Sequence, residues 1–278
     1  MDQPCLVFID IDGTLIGHDH RVPDSAVSAI SAARAVGHRL FLCSGRSHPE
    51  IYPRLRDLGF EGEVAGGGAF VRLGEETLLD ERIVRAEIDQ VEKILAACGA
   101  IWVWQGPEAI CPGPKFMATF LEMVDHNVAE PAWKEYSDSI APYLRDETPE
   151  STSKLTAYLP ADVEISAVAE QLPPSLRIIP GSISAAATHV AEIMPTRISK
   201  GSAIAFLANH VGVPMERTIA IGDSHNDIEA LEMAGIGVAM GQAPPEVQQA
   251  ANMVTTAVDD NGLARAFTQL GLADIDIN

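Results

Sequence analysis

The sequence predicts an α/β protein in which a doubly wound parallel sheet forms the core and an α+β domain is inserted into it. Apolar segments typical of buried strands alternate with helical patterns, which favours a parallel sheet with helices on both faces. Three of these strands run directly into polar or acidic side chains, and such residues mark the edge where open α/β sheets bind ligands. One interval between the polar clusters is far too long for a single strand and helix.

The first strand, at about residues 4–10, ends in two closely spaced carboxylates. The apolar run Cys5–Ile9 leads into Asp10 and Asp12. Alternate residues of a strand point to the same side, so these two side chains project together. Their mutual repulsion implies a bound cation or a shared proton. A calcium-binding loop is disfavoured, because it needs a glutamate at its twelfth position, where this chain has Arg21.

Three further segments carry polar residues that can meet these carboxylates. Each follows a strand or opens a helix, so all of them can converge at one edge of the sheet. The residues are, in chain order, Ser44 after the strand 38–43, Lys200 in the first turn of a helix expected to run to about Val211, and Asp223, Asn226 and Asp227 after the strand 218–222.

The interval between Ser44 and Lys200 spans 156 positions, far more than one strand–helix repeat requires. We therefore expect a core formed by residues 1–82 and 190–278 and a cap domain inserted at 83–189. The core strands are expected at 4–10, 38–43, 63–65, 190–194, 218–222 and 236–239. In the cap, we expect a helix around 88–95, strands at 100–104, 153–159 and 176–179, a helix at 163–172 and a loop at 127–151.

The shorter interval, between Asp12 and Ser44, has room for a flap, one helix and one strand. The helix is expected to begin with Asp24 as its N-cap and to end at Val36. The side chains expected to face the sheet are Val27, Ile30 and Ala33. The crevice between the sheet edge and the cap is the expected active site.

The order Asp-x-Asp, Ser, Lys and Asp-x-x-Asn-Asp resembles that of the haloacid dehalogenase (HAD) superfamily of aspartate-nucleophile phosphatases. More narrowly, it resembles the Cof-type branch with a large cap, over about residues 4–70 and 190–270, and most closely over Gly222–Met240. The resemblance implies a HAD-like, Rossmannoid core. The chain departs from the family pattern at 67–69, where it has Gly-Gly-Ala and relatives usually carry Asn-Gly-Ala.

The resemblance implies that phosphate monoesters are hydrolysed through a phospho-enzyme formed at Asp10. Asp12 would be the general acid for the leaving alkoxide and then the general base for water. Thr14 would fix the turn that orients Asp12. The implied cofactor is Mg²⁺, held by Asp10, Asp223 and the main-chain carbonyl of Asp12.

The same resemblance places the phosphoryl group against the loop that follows the second strand. Ser44 would donate its hydroxyl, and Gly45 its N–H, to the phosphoryl oxygens. Arg46, next in this loop, is the strongest candidate for a further substrate contact. By the same resemblance, Lys200 would balance the charge of the phosphate, and Asn226 would bind the phosphate or Ser44. Asp227 would hold Lys200 or the metal-bound waters in place.

Sugar phosphates or related small phosphometabolites are the substrates that the resemblance favours, and mannosyl-phosphoglycerate and disaccharide phosphates remain open. The presence of Asp12 argues against dehalogenation, because a halide leaves without being protonated. Two alternatives remain: a sugar phosphomutase or phosphotransferase, and a non-catalytic protein that binds phosphometabolites. The short interval before Ser44 disfavours a mutase, since mutase relatives usually carry a small cap there.

Several cap residues could contact a leaving group, but a structural role is the better interpretation of each. Trp102 and Trp104 share one face of a predicted strand and are expected to pack against a cap helix. Lys115, Lys154 and Arg177 are each expected to be solvated surface residues.

Composition disfavours several classes of partner. The formal net charge of −20 disfavours nucleic acid, which requires a basic surface. No apolar run approaches the roughly 18–20 residues that span a bilayer, and the acidic Asp2 with a short apolar run disfavours a signal peptide. The four cysteines are scattered, which favours a reduced, cytoplasmic protein. We expect a monomer or homodimer that binds a small phosphorylated metabolite.

Overall fold

A computed structural model describes residues 3–17, 19–118, 130–181 and 188–275 of the chain. The strands are β1 (Leu6–Ile9), β2 (Arg39–Cys43), β3 (Gly62–Ala65), β4 (Phe70–Leu73), β5 (Glu76–Asp80), β6 (Ile83–Val84), β7 (Ile101–Gln105), β8 (Ile110–Pro112), β9 (Ser151–Thr152), β10 (Lys154–Pro160), β11 (Leu176–Pro180), β12 (Thr188–Pro195), β13 (Thr218–Gly222), β14 (Ile236–Ala239) and β15 (Met253–Val254). The helices are α1 (Asp24–Ala35), α2 (Pro53–Arg56), α3 (Arg85–Ala97), α4 (Glu130–Ile140), α5 (Ile165–Ala169), α6 (Lys200–His210), α7 (Ile228–Met233), α8 (Pro245–Ala250) and α9 (Gly262–Gln269). Among the described helices, none has the length and apolar character that crossing a membrane requires.

The main sheet has eight strands in the order β15-β14-β13-β1-β2-β3-β4-β5. The six strands from β15 to β3 are parallel, and β4 and β5 continue the sheet as antiparallel strands. Strand β1 lies in the middle, and its last residue, Ile9, pairs with both Ile221 of β13 and Leu42 of β2. The residues that follow these three strands therefore meet at one edge, as open α/β sheets require of a ligand site.

Helices cover both faces of the main sheet, so the protein is an α/β fold with a mostly parallel central sheet. Alternate residues of the strands face opposite ways. Val7 and Ile9 of β1 belong to a core cluster with α1 and α9. Leu6 and Phe8 of the same strand belong to a second cluster, with α6, α7 and α8.

Helix α1 was predicted in the right place, but two details of the prediction were wrong. Asp24 is the first helical residue, and Pro23, rather than Asp24, occupies the capping position. Val27 is 38% exposed. The residues that face the sheet are Ala26, Ala29, Ile30 and Ala33. These positions lie on one stripe of a helix with 3.6 residues per turn, and Val27 lies beside that stripe.

The second sheet has five antiparallel strands in the order β11-β12-β10-β7-β8. One of its faces packs on α3 and α5 through a separate apolar core. Trp102 and Trp104 belong to that core, and the indole N–H of Trp104 donates to Glu92 of α3 at 2.9 Å. The two tryptophans therefore pack against a helix, as predicted.

The prediction of a core strand at 190–194 was wrong. Residues Thr188–Pro195 form β12, which pairs with β10 and β11 in the second sheet. The apolar run around Ala191 and Ile193 is buried, as it would be in either sheet. A short buried run does not reveal which sheet it joins, because burial alone sets its composition.

The prediction that 127–151 is a loop was also wrong for most of the segment. Residues Glu130–Ile140 form helix α4, and Ser151 begins β9, while 127–129 lie outside the described residues. Pro131 is the second residue of α4. A proline in the first helical turn is compatible with a helix, because that position needs no backbone donor.

Candidate active site

Asp10 lies directly after β1 and is buried, with only 5% of its surface exposed. The ammonium group of Lys200 donates to Asp10 Oδ1 at 2.7 Å and to Asp227 Oδ1 at 2.6 Å. The other oxygen of Asp227 accepts the backbone N–H groups of Asp223 and Ser224, at 3.1 and 3.0 Å. Asp227 therefore ties the lysine to the loop that follows β13.

Lys200 is placed by the start of helix α6, of which it is the first residue. Ser199 caps this helix, and its hydroxyl accepts the N–H of Ser202 at 3.0 Å. Burial alone would lower the pKa of Lys200, but the carboxylates of Asp10 and Asp227 outweigh it and raise that pKa well above its usual value. The site thus holds one buried, charged lysine between two carboxylates.

Carboxylates crowd this edge of the sheet. One oxygen from each of Asp10, Asp223 and Asp227 lies within 4.8 Å of the other two. Burial, with the neighbouring carboxylates, raises the pKa of Asp10 well above its usual range, although Lys200 acts in the opposite direction. Burial and Asp227 raise the pKa of Asp223 to about 6. A divalent cation would relieve this repulsion, and carboxylate oxygens are the ligands that hard cations prefer.

The carboxylate of Asp12 is turned towards Arg46 instead of towards this cluster. The guanidinium donates to both Asp12 oxygens, at 2.8 and 2.7 Å, and also to the carbonyl of Glu50 at 2.9 Å. It stacks 4.5 Å from the ring centre of Tyr52. Burial would raise the pKa of Asp12, but the paired guanidinium leaves that pKa below its ordinary value. Arg46, which the sequence suggested as a substrate contact, engages a predicted catalytic residue here.

Thr14 lies with Asp12 in the turn that follows β1, and its hydroxyl donates to Asp223 Oδ1 at 3.3 Å. The sequence suggested that Thr14 orients Asp12, so the contact with Asp223 is a finding of the structure. Gln242 also donates to Asp223, at 3.3 Å. The sequence carries no signal for this glutamine, which lies in an ordinary loop after β14.

Ser44 and Gly45 follow β2, next to Asp10 across the sheet edge. The Ser44 hydroxyl oxygen accepts the backbone N–H of Arg46 at 3.1 Å, so its own proton can be donated elsewhere. The amide of Asn226 lies against this loop: a methyl group built on Gly45 would be 3.0 Å from Asn226 Nδ2. The structure therefore brings these three predicted phosphate-binding residues together.

The departure from the family pattern at 67–69 lies in a turn beside β12. Gly67 has a φ of 66°, in the left-handed region that glycine and asparagine tolerate best. A methyl group built on Gly67 would lie 3.1 Å from the terminal carbon of Met194. The space beside this glycine is thus already occupied by a methionine of β12.

Three residues missed by the sequence reasoning lie between the second sheet and the loop 44–50. Lys154 was expected to be solvated, yet it is 2% exposed and donates to the carbonyl of Gly45 at 2.7 Å. Gln105 and Tyr136 donate to the buried carboxylate of Glu50, at 2.7 and 2.8 Å. These contacts join residues far apart in the chain, and no local pattern predicts them.

Arg177 was also expected to be solvated, but it joins the second sheet to helix α7 and to the segment before α6. It pairs with Glu229 of α7 and donates to the carbonyl of Ile198 at 2.6 Å. Lys115, by contrast, is exposed as predicted.

The site thus consists of a buried aspartate at a strand end, paired with a lysine and flanked by a serine loop and further carboxylates. The chain belongs to the haloacid dehalogenase-like hydrolases, whose family profile matches residues 7–267. The putative phosphatase YxeH of Bacillus subtilis is 29% identical to it, over 96% of this chain and 98% of its own length. A putative phosphatase of Haemophilus influenzae is 30% identical to this chain, over 93% of this chain and 95% of its own length.

Solved structures agree with this assignment. A HAD subclass IIB sugar phosphatase superposes on this chain with a TM-score of 0.77 at 27% identity, covering 96% of this chain and 99% of its own. The protein is thus a Cof-type HAD phosphatase, a hydrolase that acts on phosphate monoesters. The family generally uses a divalent metal, and the cluster of Asp10, Asp223 and Asp227 fits one.

Proposed function

We propose that the protein is a Mg²⁺-dependent phosphatase that hydrolyses small monoesters, those of sugars or related phosphometabolites, through an aspartyl-phosphate at Asp10. One observation carries the proposal. The carboxylate of Asp10 is buried at the end of the central strand, paired with Lys200 at 2.7 Å and next to the loop of Ser44. A carboxylate in such a place can form an acyl phosphate.

The first half of the reaction is an attack by an Asp10 oxygen on phosphorus. Lys200 holds Oδ1 of Asp10 and so limits the rotation of the carboxylate. The hydroxyl of Ser44 and the N–H of Gly45 donate to the phosphoryl oxygens, where charge builds up in the transition state. As the bond to the leaving group breaks, Asp12 gives its proton to the departing alkoxide.

The second half returns Asp10 to its free form. Asp12, now ionised, takes a proton from a water molecule that attacks phosphorus, and the bond between phosphorus and the Asp10 oxygen breaks. Inorganic phosphate leaves with Asp12 protonated again. The same residue therefore serves first as an acid and then as a base, which requires its carboxylate to leave Arg46 when substrate binds.

The proposed ligands of Mg²⁺ are the carboxylates of Asp10 and Asp223 with the main-chain carbonyl of Asp12. When bound, the cation offsets the repulsion between these carboxylates and an anionic substrate. Thr14 donates to Asp223 and holds its carboxylate in place. Both oxygens of Asp227 are engaged by Lys200 and backbone N–H groups, so Asp227 serves as a positioning residue.

The preference for polyhydroxylated leaving groups is supported by two relatives. The sugar phosphatase noted above and a Bacillus subtilis 5-amino-6-(5-phospho-D-ribitylamino)uracil phosphatase, 25% identical over 95% of this chain, are both named for esters of that kind.

The test is a screen of phosphorylated metabolites with Mg²⁺ that measures release of inorganic phosphate. We expect turnover of one or more sugar or polyol phosphates, and the Asp10→Ala variant should lower it by at least about 10⁴-fold, roughly 5.5 kcal/mol of transition-state stabilisation. Phosphate release that is equal in the wild type and in Asp10→Ala would contradict the proposal.

A further inference from the structure

A lysine of the second sheet reaches the loop that is expected to bind phosphate. Lys154 opens β10, whose partners in the sheet are β7 and β12. Its ammonium group donates to the carbonyl of Gly45 at 2.7 Å and to Glu192 Oε1 of β12 at 2.7 Å. Lys154 is 2% exposed and Glu192 is 5% exposed, so water does not compete for these contacts.

The carbonyl of Gly45 belongs to the same peptide group as the N–H of Arg46. That N–H donates to the hydroxyl oxygen of Ser44 at 3.1 Å. A peptide whose carbonyl accepts from an ammonium group is a stronger donor, because linked hydrogen bonds polarise one another. The chain of contacts therefore runs from Lys154 through one peptide group to the Ser44 hydroxyl.

The geometry leaves the Ser44 proton for another acceptor. Its oxygen already accepts the Arg46 N–H, which restricts where the hydroxyl proton can point. The loop is also confined from both sides: a methyl group built on Gly45 would lie 3.0 Å from Asn226 Nδ2 and 3.4 Å from Glu192 Oε1. A side chain at position 45 would crowd the amide of Asn226, whereas its distance from Glu192 would be an ordinary contact.

We propose that Lys154, held by Glu192, is a positioning residue for phosphoryl transfer. It fixes the peptide between Gly45 and Arg46 so that the Ser44 hydroxyl is presented to a phosphoryl oxygen. The second sheet thereby acts on the phosphoryl group itself, which every substrate shares, and not only on the leaving group. This inference rests on the proposed phosphatase function.

The alternative is a buried ion pair with a purely structural role. Breaking such a pair by removing one partner is strongly destabilising, whereas replacing both partners is often neutral. The variants Lys154→Met and Lys154→Met/Glu192→Gln separate the two roles. The single variant leaves Glu192 without its partner, and the double variant removes both charges.

The double variant should regain most of the thermal stability that Lys154→Met loses, yet stay about 10- to 100-fold below the wild type in kcat. The loss should be the same for p-nitrophenyl phosphate as for the best sugar phosphate, because the phosphoryl group is common to both. Recovery of kcat together with stability would overturn the proposal, and so would a loss confined to sugar phosphates.

A second measurement tests whether Lys154 acts through Ser44. In a Ser44→Ala background, Lys154→Met/Glu192→Gln should cost little further activity, because the group that it positions is already gone. An undiminished loss in that background would contradict the proposed route.

The control is Thr218→Val, which removes another buried polar group far from the site: the Thr218 hydroxyl, at the start of β13, donates to the carbonyl of Met215 at 2.7 Å. It should lower stability and leave kcat unchanged.

If the wild type releases no phosphate from any ester, the proposed function itself fails. If the wild type is active and the double variant matches it, only the role of Lys154 fails.

Discussion

At the scale of single residues, the ion pair between Asp12 and Arg46 keeps Asp12 in a different protonation state from the one that a general acid needs. The guanidinium holds the Asp12 carboxyl ionised, with its pKa below the ordinary value. A general acid must carry a proton when the leaving group departs. The proposed acid role therefore requires substrate binding to draw Arg46 away from Asp12, with the phosphate or the leaving group competing for the donors of Arg46.

The acid role of Asp12 predicts a dependence on the leaving group. Asp12→Asn should slow hydrolysis of sugar phosphates far more than hydrolysis of aryl phosphates, because an aryl leaving group needs little protonation. The measurement is kcat for both substrate types in the variant and the wild type. Equal losses on both would remove Asp12 from the acid role.

The crowding of Asp10, Asp223 and Asp227 predicts dependence on a divalent cation. Activity should vanish on chelation and return with Mg²⁺, whereas Ca²⁺ should inhibit, since its looser, higher coordination misplaces the nucleophile. Phosphate release across a series of added metals is the readout. Undiminished activity after exhaustive chelation would show that these carboxylates need no cation.

At the scale of elements, helix α1 shows how a stripe of small residues fixes the packing on the sheet. Ala26, Ala29, Ile30 and Ala33 are buried, and the alanines let the helix lie close to the strands. Ile30 is the large member of this stripe and belongs to the core cluster with β1. Its side chain therefore contributes most of the apolar contact on this face of the helix.

This packing predicts that truncating Ile30 lowers the free energy of unfolding much more than truncating Val27. Ile30→Ala should lower the free energy of unfolding by about 2–5 kcal/mol, because it leaves a cavity in the core. Val27→Ala, at the 38% exposed position, should change it by no more than about 0.5 kcal/mol. Denaturant unfolding measures both, and a larger loss at Val27 would contradict the observed orientation of the helix.

The sequence was sufficient where each chemical residue directly follows its own strand. Asp10, Ser44 and Asp223 could be placed together because β1, β2 and β13 are apolar runs that end in polar residues. The sequence was insufficient to predict which sheet β12 joins, since a buried apolar run fits either sheet. Lys154 was also missed, because its partners, Gly45 and Glu192, come from distant segments and a lone lysine gives no local signal of burial.

At the scale of the whole molecule, we propose that the second sheet and its helices form a cap over the main sheet. The chain enters the second sheet after β5 and returns to the main sheet's helices after β12. Contacts from Lys154 and Gln105 to the loop 44–50 hold this cap against the site. The cap so placed can exclude water and contact the leaving group.

Replacing Ile83–Pro195 with a short linker tests this division. The remaining chain should fold, as judged by circular dichroism, because every strand of the main sheet comes from the flanking segments. It should cleave an aryl phosphate slowly and lose discrimination among natural esters. The contrary result is a capless protein that folds and yet gives the same order of substrates by kcat/KM as the full chain. That result would show that the cap does not determine specificity for the leaving group.

The central claim is that phosphate is transferred first to Asp10 and then to water. Each displacement inverts the configuration at phosphorus, so the direct measurement is the stereochemical outcome with an isotopically chiral thiophosphate ester hydrolysed in labelled water. Two in-line displacements predict overall retention of configuration. Inversion would show that water attacks the ester in a single step, and it would contradict the covalent role of Asp10.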